Sequence, residues 1–247
     1  MHKPVAVIPC YNHPQTIGMM VDAVHAHGLV AVVVDDGCNA ECAQTLDELA
    51  TRHGPRMQLV RLAHNQGKGG AMMAGLRAAH ASGFTHALQI DADGQHDVAD
   101  IPTFLAASVA HPDTVICGEP LYDASVPKGR LYGRYATHVW VWINTLSLDI
   151  RDSMCGFRVY PLAPVVQLIN QARIGKRMDF DPELLVRLHW RGVPMRSLPT
   201  RVSYPLDGVS HFKLLWDNLL ISGMHTRLFF GMLLRSPLLL WRKVAPR

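Results

Sequence analysis

"HALQIDADGQHD", residues 86–97, runs from an apolar, strand-like segment directly into a group of carboxylates. Asp91 and Asp93 are alternate residues at the predicted strand end, with Gly94 beside them. Like charges this close repel unless something positive lies between them, because an opposite charge is what keeps both ionised. A cation, or a cation carrying phosphate, is the partner such a pair requires.

Working outward, "VAVIP" (5–9), "LVAVVVDD" (29–36) and "MQLVRL" (57–62) precede this strand, and "TVICG" (114–118) follows it. Each run is short and apolar or β-branched, and segments of helical length separate them, which predicts a three-layer α/β domain with a mostly parallel central sheet. Ligands of such sheets collect beyond the carboxyl ends of the strands. Polar residues fall there four times: Pro9, Tyr11 and Asn12 after the first run, Asp35 and Asp36 after the second, Asn65 to Gly70 after the third, and Asp91 and Asp93 after the fourth.

With 247 residues and 49% hydrophobic content, the chain is long enough for one large globular domain. Its five cysteines are odd in number and scattered, which suits a reducing compartment better than a disulfide framework. Cys38 and Cys42 have the look of half a zinc site, but no second pair follows at ligand spacing. The start, "KPVAVIP", lacks the pattern of a secretory signal, so a cytoplasmic location is expected. Basic charge gathers late: residues 201–247 carry seven Lys and Arg against Asp207 and Asp217, while the whole chain is only +4. That tail is also rich in Leu, Phe, Met and Trp. Asp217, Arg227 and Arg235 interrupt it too often for a bilayer-spanning helix. An amphipathic helix over 213–247 is expected, either in the membrane interface or packed on a catalytic domain of residues 1–212. Basic residues interleaved with Leu and Phe do not form a nucleic-acid-binding face.

Taken singly, each cluster has a plain alternative. Asp35-Asp36-Gly37 could be a turn, or could hold a base or ribose. "NQGKGGAMMAGL" (65–76) could turn backbone N–H groups at a helix N-terminus toward a phosphate, or be a tight loop into a close-packed helix. It is not a Walker A loop, because the spacing fails.

Their order is more specific. "VIPCYN", "VVVDDG", "NQGKGGA" and "QIDADGQHD" resemble, in sequence and spacing, the motifs of glycosyltransferase family 2, nearest to its dolichyl- and polyprenyl-phosphate sugar transferases. "DSMCGFRVYP" (152–161) looks like the family's D-x-x-x-G-F-R segment, and "FDPELLVRLHWRGVPMRSLP" (180–199) like its acceptor-side helix and strand. The resemblance reaches to about residue 212. It implies the nucleotide-diphospho-sugar (A-type glycosyltransferase) fold and an inverting, metal-dependent transfer from a UDP- or GDP-sugar. Pro9, Tyr11, Asn12 and Asp36 would line the nucleoside pocket, supported by Asp35, with Lys68 near the base. Asp91 and Ala92 would meet the donor. Asp91, Asp93 and Gln95 would surround Mg²⁺ or Mn²⁺, a hard cation that wants carboxylate oxygens.

On the acceptor side, Asp181 stands eleven residues before Gly192, the offset at which many family members place a general base. Phe180 occupies the position of the usual Glu, and Glu183 follows two later, so Asp181, Glu183 and Arg158 are the catalytic candidates. A phosphate acceptor is already an anion and needs no base, whereas a lipid hydroxyl does. Lys128, Arg130 and Arg134 ahead of an aromatic-rich helical stretch, with Ser210 in the late "GVS" element, are the acceptor-binding candidates. The expectation is a peripheral enzyme at the inner face of the cytoplasmic membrane, acting on polyprenyl phosphate or a lipid hydroxyl. A sugar-nucleotide pyrophosphorylase and a non-catalytic membrane scaffold are the alternatives, and the oligomeric state is left open.

Overall fold

The computed structural model describes residues 1–122, 128–203 and 214–244. Strands β1 (Pro4–Cys10), β2 (Ala31–Asp35), β3 (Met57–Arg61) and β4 (His86–Gln89) alternate with helices α1 (Ile17–Ala26), α2 (Ala40–His53) and α3 (Lys68–Ala81). Then follow α4 (Ile101–Ala110), β5 (Val115–Tyr122), α5 (Lys128–Thr145), β6 (Arg158–Pro161), α6 (Leu162–Gln171), α7 (Phe180–Trp190), β7 (Met195–Val202) and α8 (Leu214–Val244). The described strands form one sheet in the order β3-β2-β1-β4-β6-β5-β7. All neighbours run parallel except β6, which is antiparallel to both β4 and β5.

Side-chain alternation sorts β1 between two cores. Val5 and Val7 face one, with α3, α5, α6, α7 and α8, while Ala6, Ile8 and Cys10 face the other, with α1, α2 and α4. Burial on both sides is why β1 and β2 read as unbroken apolar runs. The fourth strand is shorter than the sequence suggests: it stops at Gln89, and Ala92 and Asp93 form a turn that Gly94 follows with a φ of 72°. The carboxylates therefore stand just beyond the sheet edge.

The glycines of α3 serve packing. A Cβ on Gly75 would run into Val7 and Val34, and one on Gly69 into Phe180. Of its N-terminal donors, the Gly67 N–H is taken by Asp36 and the Gly70 N–H by the Lys176 carbonyl. The tight loop into a close-packed helix is what the chain forms here.

The tail is a single 31-residue helix, α8. Its Ile221, Met224, Leu228, Met232 and Leu239 are buried in the same core as α5 and α7, so the helix is built into the domain rather than appended to it. Pro237 removes one backbone donor, and the Ser236 hydroxyl donates to the Leu233 carbonyl (2.9 Å) that it strands. Its other side leaves Trp216, Leu219, Phe230, Leu234 and Trp241 exposed. No helix among the described residues is long and apolar enough to cross a membrane.

Candidate active site

The carboxyl ends of β1, β2 and β4 converge on one edge of the sheet, and the reversed strand β6 adds to it. Because β6 is antiparallel, its first residue, Arg158, pairs in register with Gln89, the last residue of β4. A strand start is thereby brought to the edge where parallel strands end.

A buried network results. Arg158 is fully buried, and its Nη1 donates to Asp181 Oδ1 (2.8 Å) and to the Tyr160 hydroxyl (3.1 Å). Gln89 Nε2 also donates to Asp181 Oδ1 (3.2 Å), and Tyr160 donates to Gln89 Oε1 (3.1 Å). The Lys68 ammonium lies 3.2 Å from Asp181 Oδ2 and donates to Asp91 Oδ2 at 2.8 Å. Lys68, which the resemblance implies lies near the base, is thus placed between two carboxylates. Burial works against its charge, yet Asp181 and Asp91 hold its pKa above the usual lysine range.

The two motif carboxylates are pushed in opposite directions. Burial disfavours the charge on Asp91, but Lys68 and His96 more than offset this and keep its pKa below the carboxylate range. Burial, then the nearby Asp91 charge, raises that of Asp93. Asp93 Oδ1 accepts from the Gln95 N–H (3.0 Å), while Asp91 Oδ1 is buried without a protein partner. An unpartnered carboxylate oxygen beside a second carboxylate that resists ionisation is a donor set that fits a hard divalent cation. Gly156 packs so tightly on the Asp91 carboxylate that any side chain there would collide with it.

The remaining candidates divide. Asp36 is consumed within the protein, accepting from the N–H groups of Gln66 (2.6 Å) and Gly67 (2.9 Å) and from Asn65 Nδ2 (3.0 Å), so it anchors the 65–67 loop to the end of β2. Asp35 accepts from the Cys38 N–H (2.8 Å) and from Arg61 Nε (3.2 Å). Pro9, Tyr11 and Asn12 leave β1 beside them, Asn12 at a left-handed φ of 56°. The Ala92 carbonyl accepts from the Thr16 hydroxyl (2.6 Å), fixing the turn between Asp91 and Asp93 to the start of α1.

Glu183 is not part of the cluster. Residues two apart on a helix do not share a face. With Asp181 turned to the sheet edge, Glu183 is fully buried elsewhere, 2.7 Å from Arg187 Nη2, 3.5 Å from Arg227 Nη2 of α8, and accepting from the Gly175 N–H (2.8 Å). Arg134 is likewise engaged: its Nε and Nη2 donate to Asp152 at 2.6 and 2.7 Å, and Asp152 also accepts from the Met154 and Cys155 N–H groups. Lys128 and Arg130 belong to the first turn of α5, but their side chains, and all of Ser210, lie outside the described residues.

Three side chains and one loop escaped the sequence reading. His96 is buried, its Nε2 3.9 Å from Asp91 Oδ2, and only its place behind the "DADGQ" run hinted at it. Tyr160 and Gln89 are hidden in strand patterns that read as core. The 175–177 loop, which covers the start of α3, carried no signal.

A family model described as glycosyl transferase family 2 matches residues 5–162. The chain is 28% identical over 224 residues to the polyprenol monophosphomannose synthase of Mycolicibacterium smegmatis, covering 84% of this chain and 80% of that one. It is 24% identical over 217 residues to the dolichyl-phosphate beta-glucosyltransferase of Drosophila melanogaster, covering 79% of this chain but only 65% of that protein's length. Among solved structures, glucosyl-3-phosphoglycerate synthase from Mycobacterium tuberculosis superposes with a TM-score of 0.63 over 95% of this chain and 80% of that one, at 14% identity, a likeness of fold.

Proposed function

Because the chain belongs to glycosyl transferase family 2, we propose that it is an inverting glycosyltransferase that moves a sugar from a UDP- or GDP-sugar to a polyprenyl phosphate at the cytoplasmic face of a membrane. The observation that carries this reading is the buried Asp91–Lys68–Asp181–Arg158 chain beside Asp93 at the sheet edge. Asp91 and Asp93, with Gln95 next to them, would hold Mg²⁺ or Mn²⁺, which supplies positive charge against the departing nucleoside diphosphate. Lys68 aims a second positive charge at the same place, held there by Asp181, which Arg158 in turn fixes.

The engagement of Asp181 favours phosphate over hydroxyl as acceptor. Both of its oxygens already meet donors, and Glu183 is turned away, so neither of these two candidates is free to act as a base. A phosphate oxygen carries its own negative charge. It forms the new bond at the anomeric carbon while the bond to the diphosphate breaks on the opposite side, which inverts the configuration. The relatives named for polyprenol and dolichyl-phosphate transfer support the same acceptor.

The test supplies UDP-glucose, UDP-N-acetylglucosamine and GDP-mannose in turn, with Mg²⁺, to undecaprenyl phosphate or to undecaprenol. Product should form with the phosphate and with at least one donor. Transfer to the free alcohol at an equal rate, or none to either acceptor, overturns the reading.

Membrane association has its own support. Exposed Tyr135, Val139, Trp140 and Ile143 of α5 adjoin the open side of α8, where Trp140 meets Phe229 edge-on. Near the end of α8, Val139, Trp142, Ile143, Leu146 and Lys243 line a groove of about 430 Å³. An apolar band edged by Lys and Arg suits the interface of an anionic bilayer. The protein should pellet with vesicles containing phosphatidylglycerol. Leu234→Glu and Trp241→Glu should each weaken this by at least about tenfold, since burying one such side chain is worth roughly 1.5–3 kcal/mol. A wild-type protein that stays in the supernatant refutes the interface.

A further inference from the structure

Apart from the acidic pair, the structure gathers thiols. Cys10, the last residue of β1, Cys38, in the turn after β2, and Cys42, in the first turn of α2, have their sulfurs all within 4.8 Å of one another. The spacing in sequence concealed this, because Cys10 arrives from a different strand. We propose that these three cysteines form a thiolate site for a borderline-soft d¹⁰ cation, Zn²⁺ first, distinct from the hard-cation pair at Asp91 and Asp93 and independent of what that pair does.

Three observations carry the site. Tetrahedral zinc with bonds of about 2.3 Å spaces its sulfurs about 3.8 Å apart, and Cys10 Sγ and Cys42 Sγ are 3.7 Å apart. Two of the sulfurs meet positive dipoles: Cys42 is three residues into α2, whose N-terminus carries partial positive charge, and the Asn12 N–H donates to Cys38 Sγ at 3.4 Å. Burial is also graded, with Cys10 and Cys42 enclosed and Cys38 half-buried, so the fourth coordination position lies on the Cys38 side, where water can reach it. Ordinary core cysteines do not converge; Cys117 and Cys155, both buried, belong to opposite cores. Binding forms three metal–sulfur bonds and releases the thiol protons to solvent. The ion would tie together the end of β1, the β2–α2 turn and α2, and so fix Tyr11 and Asn12, which follow Cys10 directly.

Cobalt serves as the probe. The full-length protein, reduced and stripped with a chelator, is titrated with Co²⁺. A sulfur-to-cobalt charge-transfer band and the visible bands of a tetrahedral ion should saturate at one equivalent per chain and vanish when Zn²⁺ is added. Oxygen ligands at Asp91 and Asp93 give no sulfur band, so the two sites are told apart. Cys38→Ser, at a half-buried position that tolerates a hydroxyl, should weaken cobalt binding by more than the roughly 10–100-fold that loss of an outer-sphere partner brings, with the metal-free melting temperature unchanged. Cys117→Ala should keep the band. No charge-transfer band, an unaltered band in Cys38→Ser, or a thiol titration finding only three of the five thiols free in the isolated protein would overturn the proposal.

Discussion

Asp93→Asn is expected to lower sugar transfer by at least about a hundredfold, the scale on which loss of one preorganised charge-stabilising group acts, while leaving the fold intact. The amide oxygen can still accept from the Gln95 N–H, so the turn keeps its hydrogen bond. The carboxylate is also the unfavourable partner of its pair, since burial and the Asp91 charge both raise its pKa. Removing that charge relieves the metal-free protein, and its melting temperature should hold or rise slightly. Function and stability then move independently, which a general packing defect cannot reproduce. Chelation of the wild type with EDTA should imitate the substitution. Full transfer in EDTA would remove the metal from the mechanism. Asp91→Asn should differ by also lowering the melting temperature, because Lys68 loses a buried partner.

Asp181→Asn should be felt first as instability. Arg158 has no solvent to turn to, and its Nε and Nη2 already lack partners, so Asp181 carries most of the compensation for its charge. Breaking a buried pair from one side costs about 3–5 kcal/mol. In a domain of this size, that corresponds to a fall in melting temperature of roughly 10 °C. Turnover measured well below the new transition should drop far less than the about 10²–10⁴-fold expected for loss of a general base. A large loss of turnover with an unmoved melting temperature would mean the opposite: a true base, and a hydroxyl acceptor. Glu183→Gln should disturb α7 against α8 and leave the chemistry alone.

The sheet was legible because parallel strands buried on both faces write themselves as "VAVIP" and "AVVVD", and their ends were legible because polar residues there interrupt apolar runs. Asp91 and Asp93 stood out as a pair of like charges, and the order of the motifs around them made the reading specific. What stayed hidden depends on contacts between distant segments. Nothing in the sequence around Lys68 points to Asp181, from a helix more than a hundred residues later, which arrives beside it. The α3 glycines read equally as a phosphate cradle or as a tight loop into a packed helix, because the closeness of Val7, Val34 and Phe180 is a property of packing. Arg158 was recognisable by its "GFR" context, but its meeting with Gln89 follows from the direction of one strand, which hydrophobic pattern does not encode.

That reversed strand also bears on how the chain is made. β6 is the native neighbour of β4 on one side, yet β5 is synthesised between them. At about 5–20 residues per second, the roughly seventy residues from Gln89 to Pro161 take about 4–14 s to emerge. For that interval β4 has an open edge without its native partner, a surface that invites pairing with another nascent chain. The first four strands can assemble early, but the buried cluster at their ends waits first for β6 to slot into the gap and deliver Arg158, and then for α7 to bring Asp181. Substitutions that slow this insertion would lower the yield of protein from the ribosome without altering the molecules that do fold.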